Sequence, residues 1–142
     1  MTAGRRAGCA LVLVTAVALA LPHRVAAADG PLEIAATTWL ELLDQGRFAD
    51  AWRESAPQLR DGTTERAWTE ATHEVRANFD AVVSRTYVSK DYHRQLEGEP
   101  DANYFTLRSQ TTLANGTTRL EIVTLTAGAD GQYRAAAYGI KR

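Results

Sequence analysis

The dipeptide Asn115-Gly116 constrains the fold of this chain more than any other feature, because it lies between two segments rich in Thr, Leu and Val. Both residues tolerate positive φ, and Asn-Gly between such segments is the strongest short-range signal of a β-hairpin. Asp130-Gly131 gives a second signal of the same kind. The two turns predict three consecutive antiparallel strands, at 104–113, 118–127 and 132–140.

Helical periodicity precedes these strands. Apolar residues recur every three or four positions in three segments between residues 31 and 80, and each segment carries one tryptophan, Trp39, Trp52 or Trp68. We interpret the tryptophans as core residues that face the sheet, rather than as ligand-stacking residues. Since helices come first and strands follow from residue 82, the sequence predicts an α+β fold. About three N-terminal helices are expected to pack on a four-stranded antiparallel sheet.

The first 28 residues have the composition of a secretory signal peptide. Arg5 and Arg6 make a basic start without acids, an apolar run follows at 7–21, and the small residues at 26–28 offer a cleavage site. A membrane-spanning helix needs about 20 apolar residues, which favours a cleaved signal over an anchor. We expect an exported protein, periplasmic or secreted, with no membrane span after cleavage and a single domain at 29–142.

Charge and cysteine content narrow the function classes for this domain. Arg5, Arg6 and Arg24 leave with the signal peptide, so 13 of the 16 basic residues remain against 17 acidic ones. A domain with an excess of acidic residues lacks the basic surface that nucleic-acid binding requires, so no nucleic-acid partner is expected. Cys9 also leaves with the signal peptide, which excludes disulfides from the mature domain.

The sequence contains no recognised motif for catalysis or for binding a cofactor. His73 and His93 lack the spacing of metal ligands, there is no Gly-x-Ser-x-Gly motif, and no Gly-rich loop follows a strand. The sequence therefore predicts no catalytic residue, no metal ligand and no cofactor.

The turns also predict which side chains share a face of the sheet, since side chains alternate along a strand. With two-residue loops, one face carries the charges Arg108, Arg119, Glu121 and Arg134. Burying four charges is costly, so we expect this face to point to solvent. Four apolar residues on the same face then form a candidate interface for self-association or for an envelope protein partner: Val123, Leu125, Tyr138 and Ile140.

A series of short motifs runs through nearly the whole domain. In order, they are Ala35-Ala-Thr-Thr-Trp39-Leu40, Leu43-Asp44-x-Gly46-x-Phe48, Ala51-Trp52, Thr64-x3-Trp68, Val75-Arg76, Ser84-Arg85, Tyr104-Phe105, Glu121-x-Val123, Asp130-Gly131-x-Tyr133 and Ala137-Tyr138-Gly-Ile140. The series resembles a family of exported bacterial proteins known as domain of unknown function 4019, with departures at Tyr133 (usually Trp) and Ala137 (usually Gly). The resemblance implies a cone-shaped α+β architecture, similar to nuclear transport factor 2-like or cystatin-like folds, and implies no activity.

Three charged residues are candidates either for a ligand site or for structural ion pairs: Arg76, Arg85 and Glu121. The resembled family has the same residue types at these positions. Guanidinium groups bind carboxylates in a bidentate manner, so these residues could line a cavity for an acidic ligand. Alternatively, ion pairs among them fasten the helices to the sheet. Asp44, beside Gly46, is interpreted as a helix-end residue.

Two functions from different classes follow. The leading hypothesis is a non-catalytic binding or interaction module of the bacterial envelope. The alternative is a small-molecule enzyme that uses a cavity between the helices and the curved sheet, an idea that depends on fold analogy. A filled cone would favour the module, whereas a titratable group with a strongly shifted pKa in a pocket would favour the enzyme.

Overall fold

The helices come first and the strands afterwards, as the sequence predicts. The computed structural model describes residues 30–141, so the predicted signal peptide at 1–28 lies outside the described residues. The helices are α1 (Pro31–Asp44), α2 (Phe48–Arg53), α3 (Pro57–Gly62) and α4 (Glu65–Arg76). The strands are β1 (Val82–His93), β2 (Tyr104–Leu113), β3 (Thr118–Ala127) and β4 (Tyr133–Lys141). The α+β class is confirmed, with the short α3 added to the three expected helices.

Local sequence explains where the two long helices begin and end. Pro31 is at the first turn of α1, where its missing N–H costs nothing. At the other end, Gly46 has a φ of 71°, and the N–H of Arg47 donates to the carbonyl of Leu42 at 2.8 Å. This is the Schellman ending that glycine permits. Thr64 caps α4, because its hydroxyl accepts from the N–H of Ala67 at 3.2 Å.

The four strands form one antiparallel sheet in the order β1-β2-β3-β4. The loop between β2 and β3 has three residues instead of the predicted two. The N–H of Leu113 donates to the carbonyl of Thr117 at 2.9 Å, and Gly116 has a φ of 81°. One extra residue in the loop shifts the register by one, which turns every side chain of β3 to the other face relative to β2. Leu107 is therefore opposite Val123.

The loop between β3 and β4 also has three residues, closed by a bond from the N–H of Gly128 to the carbonyl of Gln132 at 2.9 Å. A β-bulge then leaves Ala136 unpaired, because Leu125 is opposite Ala135 while Thr124 is opposite Ala137. The bulge compensates for the longer loop. Beyond it, Tyr138 and Ile140 share a face with Val123 and Glu121, as predicted.

The predicted orientation of this face is wrong. Val123 and Leu125 are 1% and 0% exposed and pack in the main hydrophobic core, against which Tyr138 also packs. The ring of Tyr138 lies 5.5 Å from that of Trp39 on α1. The face that carries Val123, Leu125, Tyr138 and Ile140 thus points towards the helices, because the one-residue shift places it beside the core residue Leu107. It does not form the surface patch proposed as an interface.

The charges expected on that face are divided between the two sides of the sheet. Arg108 pairs with Ile122 and Arg134 with Thr126, on the face opposite Val123. Glu121 remains on the inner face and is fully buried. Of the four charges predicted on one face, Glu121 is therefore the one that is fully buried under the helices. No helix within residues 30–141 has the length and apolar character needed to cross a membrane.

Candidate functional site

Glu121 is the centre of a polar network inside the fold. Its side chain is fully buried, and one oxygen, Oε2, accepts from Arg85 Nε at 2.8 Å and from the hydroxyl of Thr111. The other oxygen, Oε1, accepts from the hydroxyl of Tyr138 at 2.8 Å. These donors come from β1, β2 and β4, so the carboxylate of β3 connects all four strands. A buried carboxylate is tolerated only with such a complete set of partners.

Asp44 links this network to the helices. It is the last residue of α1 and accepts from Arg76 Nη2 on α4 at 2.6 Å and from both terminal nitrogens of Arg85 at 3.1 Å. Arg76 Nη1 lies 3.8 Å from Glu121 Oε1. Asp44, Arg76, Arg85 and Glu121 are hereafter called the buried charge cluster. Their side chains are 22%, 5%, 8% and 0% exposed.

The charges of this cluster balance, since two guanidinium groups face two carboxylates. Burial alone would lower the pKa of Arg85, but its hydrogen bonds to Asp44 and the charges of Glu121 and Asp44 outweigh burial and raise it above the usual value. Burial and the neighbouring Glu121 also raise the pKa of Tyr138. Tyr138 therefore stays neutral, and its hydroxyl donates a hydrogen bond to Glu121. The cluster thus holds two cations and two carboxylates in direct contact with one another.

The structure brings together the three residues that the sequence singled out, Arg76, Arg85 and Glu121. Sequence reasoning missed the participation of Asp44 and Tyr138. One signal for Asp44 was present, because a carboxylate at a helix C-terminus is unfavourable next to the negative end of the helix dipole unless a cation compensates it. Tyr138 was assigned to the outer face, and only the correct register shows that it points inwards.

Aromatic rings fill the space between the helices and the inner face of the sheet. The ring of Trp39 lies 5.9 Å from that of Trp68, and the ring of Tyr138 packs edge-on against both at 5.5 and 6.5 Å. The indole N–H of Trp39 donates to the carbonyl of Ala51 at 2.9 Å and to the hydroxyl of Ser55 at 3.0 Å. The interior is thus a packed core. Within residues 30–141, no group of three His, Cys, Asp or Glu side chains could hold a metal ion.

A surface depression lies outside this core, where α1 and α2 meet β4. It has a volume of about 780 Å³ and is hereafter called the α1–β4 groove. One side of α1 contributes Pro31, Ile34, Ala35, Thr38, Trp39 and Leu42 to its lining, and β4 contributes Tyr133 and Ala135. Most of these side chains are apolar. The volume falls in the range of small-molecule sites.

Charged side chains surround the mouth of the groove, and most are engaged in ion pairs. Arg47 Nε lies 2.8 Å from Asp50, and Arg53 lies 2.9 Å from Asp50 and 2.8 Å from Glu65. Arg134 lies 2.6 Å from Asp130. The groove therefore combines an apolar lining with a border of charges that are already paired with one another.

Residues 35–138 match a family model described as "Protein of unknown function (DUF4019)". The chain belongs to this family. All four residues of the buried charge cluster lie within the matched part of this DUF4019 protein, and so does most of the lining of the α1–β4 groove. A comparison with curated protein sequences finds no significant match.

Three solved structures are similar to this DUF4019 chain at low sequence identity. A structure from Catenulispora acidiphila is 17% identical, with a TM-score of 0.48, over 78% of this chain and 88% of that one. A second structure from Catenulispora acidiphila, in complex with S-DNPA, is 16% identical, with a TM-score of 0.47, over 78% and 89%. Aln2 from a Streptomyces species is 16% identical, with a TM-score of 0.43, over 78% and 90%.

Proposed function

We propose that this DUF4019 protein is an exported, non-catalytic binding module that holds a small ligand in the α1–β4 groove. The observation that carries the proposal is the groove itself, a depression of about 780 Å³ in which apolar side chains of α1 lie beside polar and charged ones. Concave, mostly apolar sites with a few polar groups are the usual form of small-molecule sites.

The state of the buried charges favours binding over catalysis. In the buried charge cluster each carboxylate is neutralised by arginines, and the raised pKa of Tyr138 keeps that hydroxyl protonated. The rings of Trp39, Trp68 and Tyr138 occupy the space that an enclosed active site would need. These features support a structural role for Arg76, Arg85 and Glu121. The groove is then the better candidate for a ligand site.

Export is the first testable part of this proposal. The basic start, the apolar run at 7–21 and the small residues at 26–28 predict a mature protein that begins near Asp29. When the full chain is expressed in an export-competent bacterial host, mass spectrometry of the envelope fraction should show the loss of about 28 residues. Replacing both Ala26 and Ala28 by arginine should leave the precursor uncleaved. A wild-type chain that still starts at Met1 in the envelope would contradict the proposal.

Ligand binding in the groove is tested with the neutral fluorescent probe N-phenyl-1-naphthylamine. We expect saturable binding to the mature domain, and at least tenfold weaker binding to Ala35→Trp, because the new indole fills the groove. The matched control is Ala71→Trp, which adds the same side chain at an exposed position of α4 outside the groove.

Folding of each variant is checked by urea unfolding followed by circular dichroism. If Ala35→Trp does not fold, Thr38→Trp replaces it, since Thr38 also lines the groove. Equal affinities for the wild type and the folded groove variant, or no saturable binding at all, would overturn the proposed function.

A further inference from the structure

We infer that the α1–β4 groove takes an uncharged ligand, with an apolar body and hydrogen-bonding groups at its edge, in preference to an anionic ligand of the same shape. This inference rests on the proposed function, and it specifies the class of ligand that the groove holds. It comes from the charges around the groove and from the neutral polar side chains inside it.

The arginines at the groove have their charge compensated within the protein. Arg47 pairs with Asp50, Arg53 bridges Asp50 and Glu65, and Arg134 pairs with Asp130, all at 2.6 to 2.9 Å. Glu54 lies in the lining as well. Three arginines thus face four carboxylates, so the mouth of the groove offers no net positive charge to an anion.

The lining gives an ionic group little to replace its lost hydration. Pro31, Ile34, Ala35 and Leu42 present apolar atoms, and the indole N–H of the buried Trp39 is already committed to Ala51 and Ser55. A charge moved from water to such a surface loses hydration without gaining a partner, and this cost exceeds that of an uncharged polar group. The apolar lining therefore disfavours a charged ligand, and this effect adds to that of the compensated charges at the mouth of the groove.

Neutral side chains in the groove supply the hydrogen-bonding capacity instead. Thr38, Gln132 and Tyr133 line it, and of these Thr38 and Gln132 are exposed while Tyr133 is half-buried. A hydroxyl, an amide and a phenol can donate to or accept from a neutral polar ligand. Their position beside the apolar lining matches an uncharged molecule with one apolar face and polar edge groups.

The test compares two probes that differ by one sulfonate, N-phenyl-1-naphthylamine and 8-anilinonaphthalene-1-sulfonate. Both are titrated into the mature wild-type domain, at low salt and at high salt. We expect the dissociation constant of the neutral probe to be at least tenfold lower than that of the sulfonate. We also expect the neutral probe to be insensitive to salt.

Asp50→Asn provides a second measurement, because it releases Arg47 and Arg53 from their shared carboxylate. At low salt, the ratio of the dissociation constant of the sulfonate to that of the neutral probe should then fall at least threefold. The control is Glu70→Gln, which releases Arg66 from an exposed pair on α4 outside the groove. Glu70→Gln should leave the ratio of the two dissociation constants at its wild-type value.

The outcomes separate this inference from the proposed function. If both probes bind, both lose affinity in Ala35→Trp, and the sulfonate binds as tightly as the neutral probe or more tightly, the inference is overturned while the binding function stands. An unchanged preference in Asp50→Asn also contradicts the inference. If neither probe binds the wild-type domain, the proposed function fails and the inference fails with it.

Discussion

Replacing Glu121 by leucine is expected to lower the free energy of unfolding of the mature domain by about 3–5 kcal/mol, the usual cost of removing one partner from a buried ion pair. Leucine has a similar size, so packing changes little. Arg85 Nε and the hydroxyls of Thr111 and Tyr138 would lose their acceptor. Arg85 would keep Asp44 but would remain buried next to an apolar group.

The matched control for this prediction is Glu70→Leu. Glu70 is also paired with an arginine, Arg66, at 2.8 Å, but the two side chains are 65% and 88% exposed. Exposed pairs of this kind contribute about 0.3–0.5 kcal/mol on a helix. Urea unfolding followed by circular dichroism should therefore separate the two variants by several kcal/mol, although both replace a paired glutamate by leucine.

Glu121→Gln serves if the leucine variant does not fold. The amide keeps an oxygen that can accept from Tyr138 or Thr111, but it no longer carries the charge that faces Arg85. We expect a destabilisation smaller than that of Glu121→Leu and larger than that of Glu70→Leu. Unfolding curves of both Glu121 variants that coincide with that of the wild type would show that the cluster contributes nothing to stability.

The hairpins were predictable from the sequence, but their exact loop length was not. Asn-Gly and Asp-Gly are compatible with two-residue loops and also with three-residue loops in which only the glycine has positive φ. In the first loop, Asn115 Oδ1 accepts from the N–H of Thr117 at 2.9 Å and from its hydroxyl at 2.7 Å, and these bonds support the longer form. A difference of one residue was enough to reverse the predicted orientation of β3.

The desolvation argument was sound in principle but was applied to an incorrect set of charges. It assumed four charges on one face, whereas Arg108 and Arg134 are on the other face. Glu121 is buried because Arg85 from β1 and Arg76 from α4 reach the same place. That convergence joins residues far apart in the sequence, and residue spacing alone carries no signal for it. The resemblance to a family pointed to these residues, and the fold explains why they are needed.

The α1–β4 groove had no signature in the sequence. Its lining joins one side of α1, the ends of α2 and the first residues of β4. The apolar periodicity of α1 identifies its buried side, which includes Leu32, Ala36, Trp39 and Leu43. It carries no information about Ile34, which lies off this stripe and is 55% exposed. Only the packing of α2 and β4 against α1 creates the depression.

Replacing Trp39 by alanine is expected to lower the free energy of unfolding by about 3–5 kcal/mol, the range found when a buried aromatic residue is truncated. Trp39 is 4% exposed, and its ring contacts both Trp68 and Tyr138. Truncation would leave a cavity between α1 and the sheet. It would also remove one of the two side-chain donors to the carbonyl of Ala51, the other being the hydroxyl of Ser55.

Two further variants separate the contributions to this loss of unfolding free energy. Trp39→Phe keeps an aromatic ring but removes the indole N–H. It should cost less than truncation because the ring still fills much of the space between α1 and the sheet, whereas Ser55 donates to the carbonyl of Ala51 in both variants. Trp68→Ala removes the same side chain from a half-buried position on α4, so it should cost less than Trp39→Ala.

Urea unfolding followed by circular dichroism measures all three variants without relying on tryptophan fluorescence. A Trp39→Ala domain within about 1 kcal/mol of the wild type would contradict the central role of this residue, because a cavity at the centre of a close-packed core cannot be free of cost.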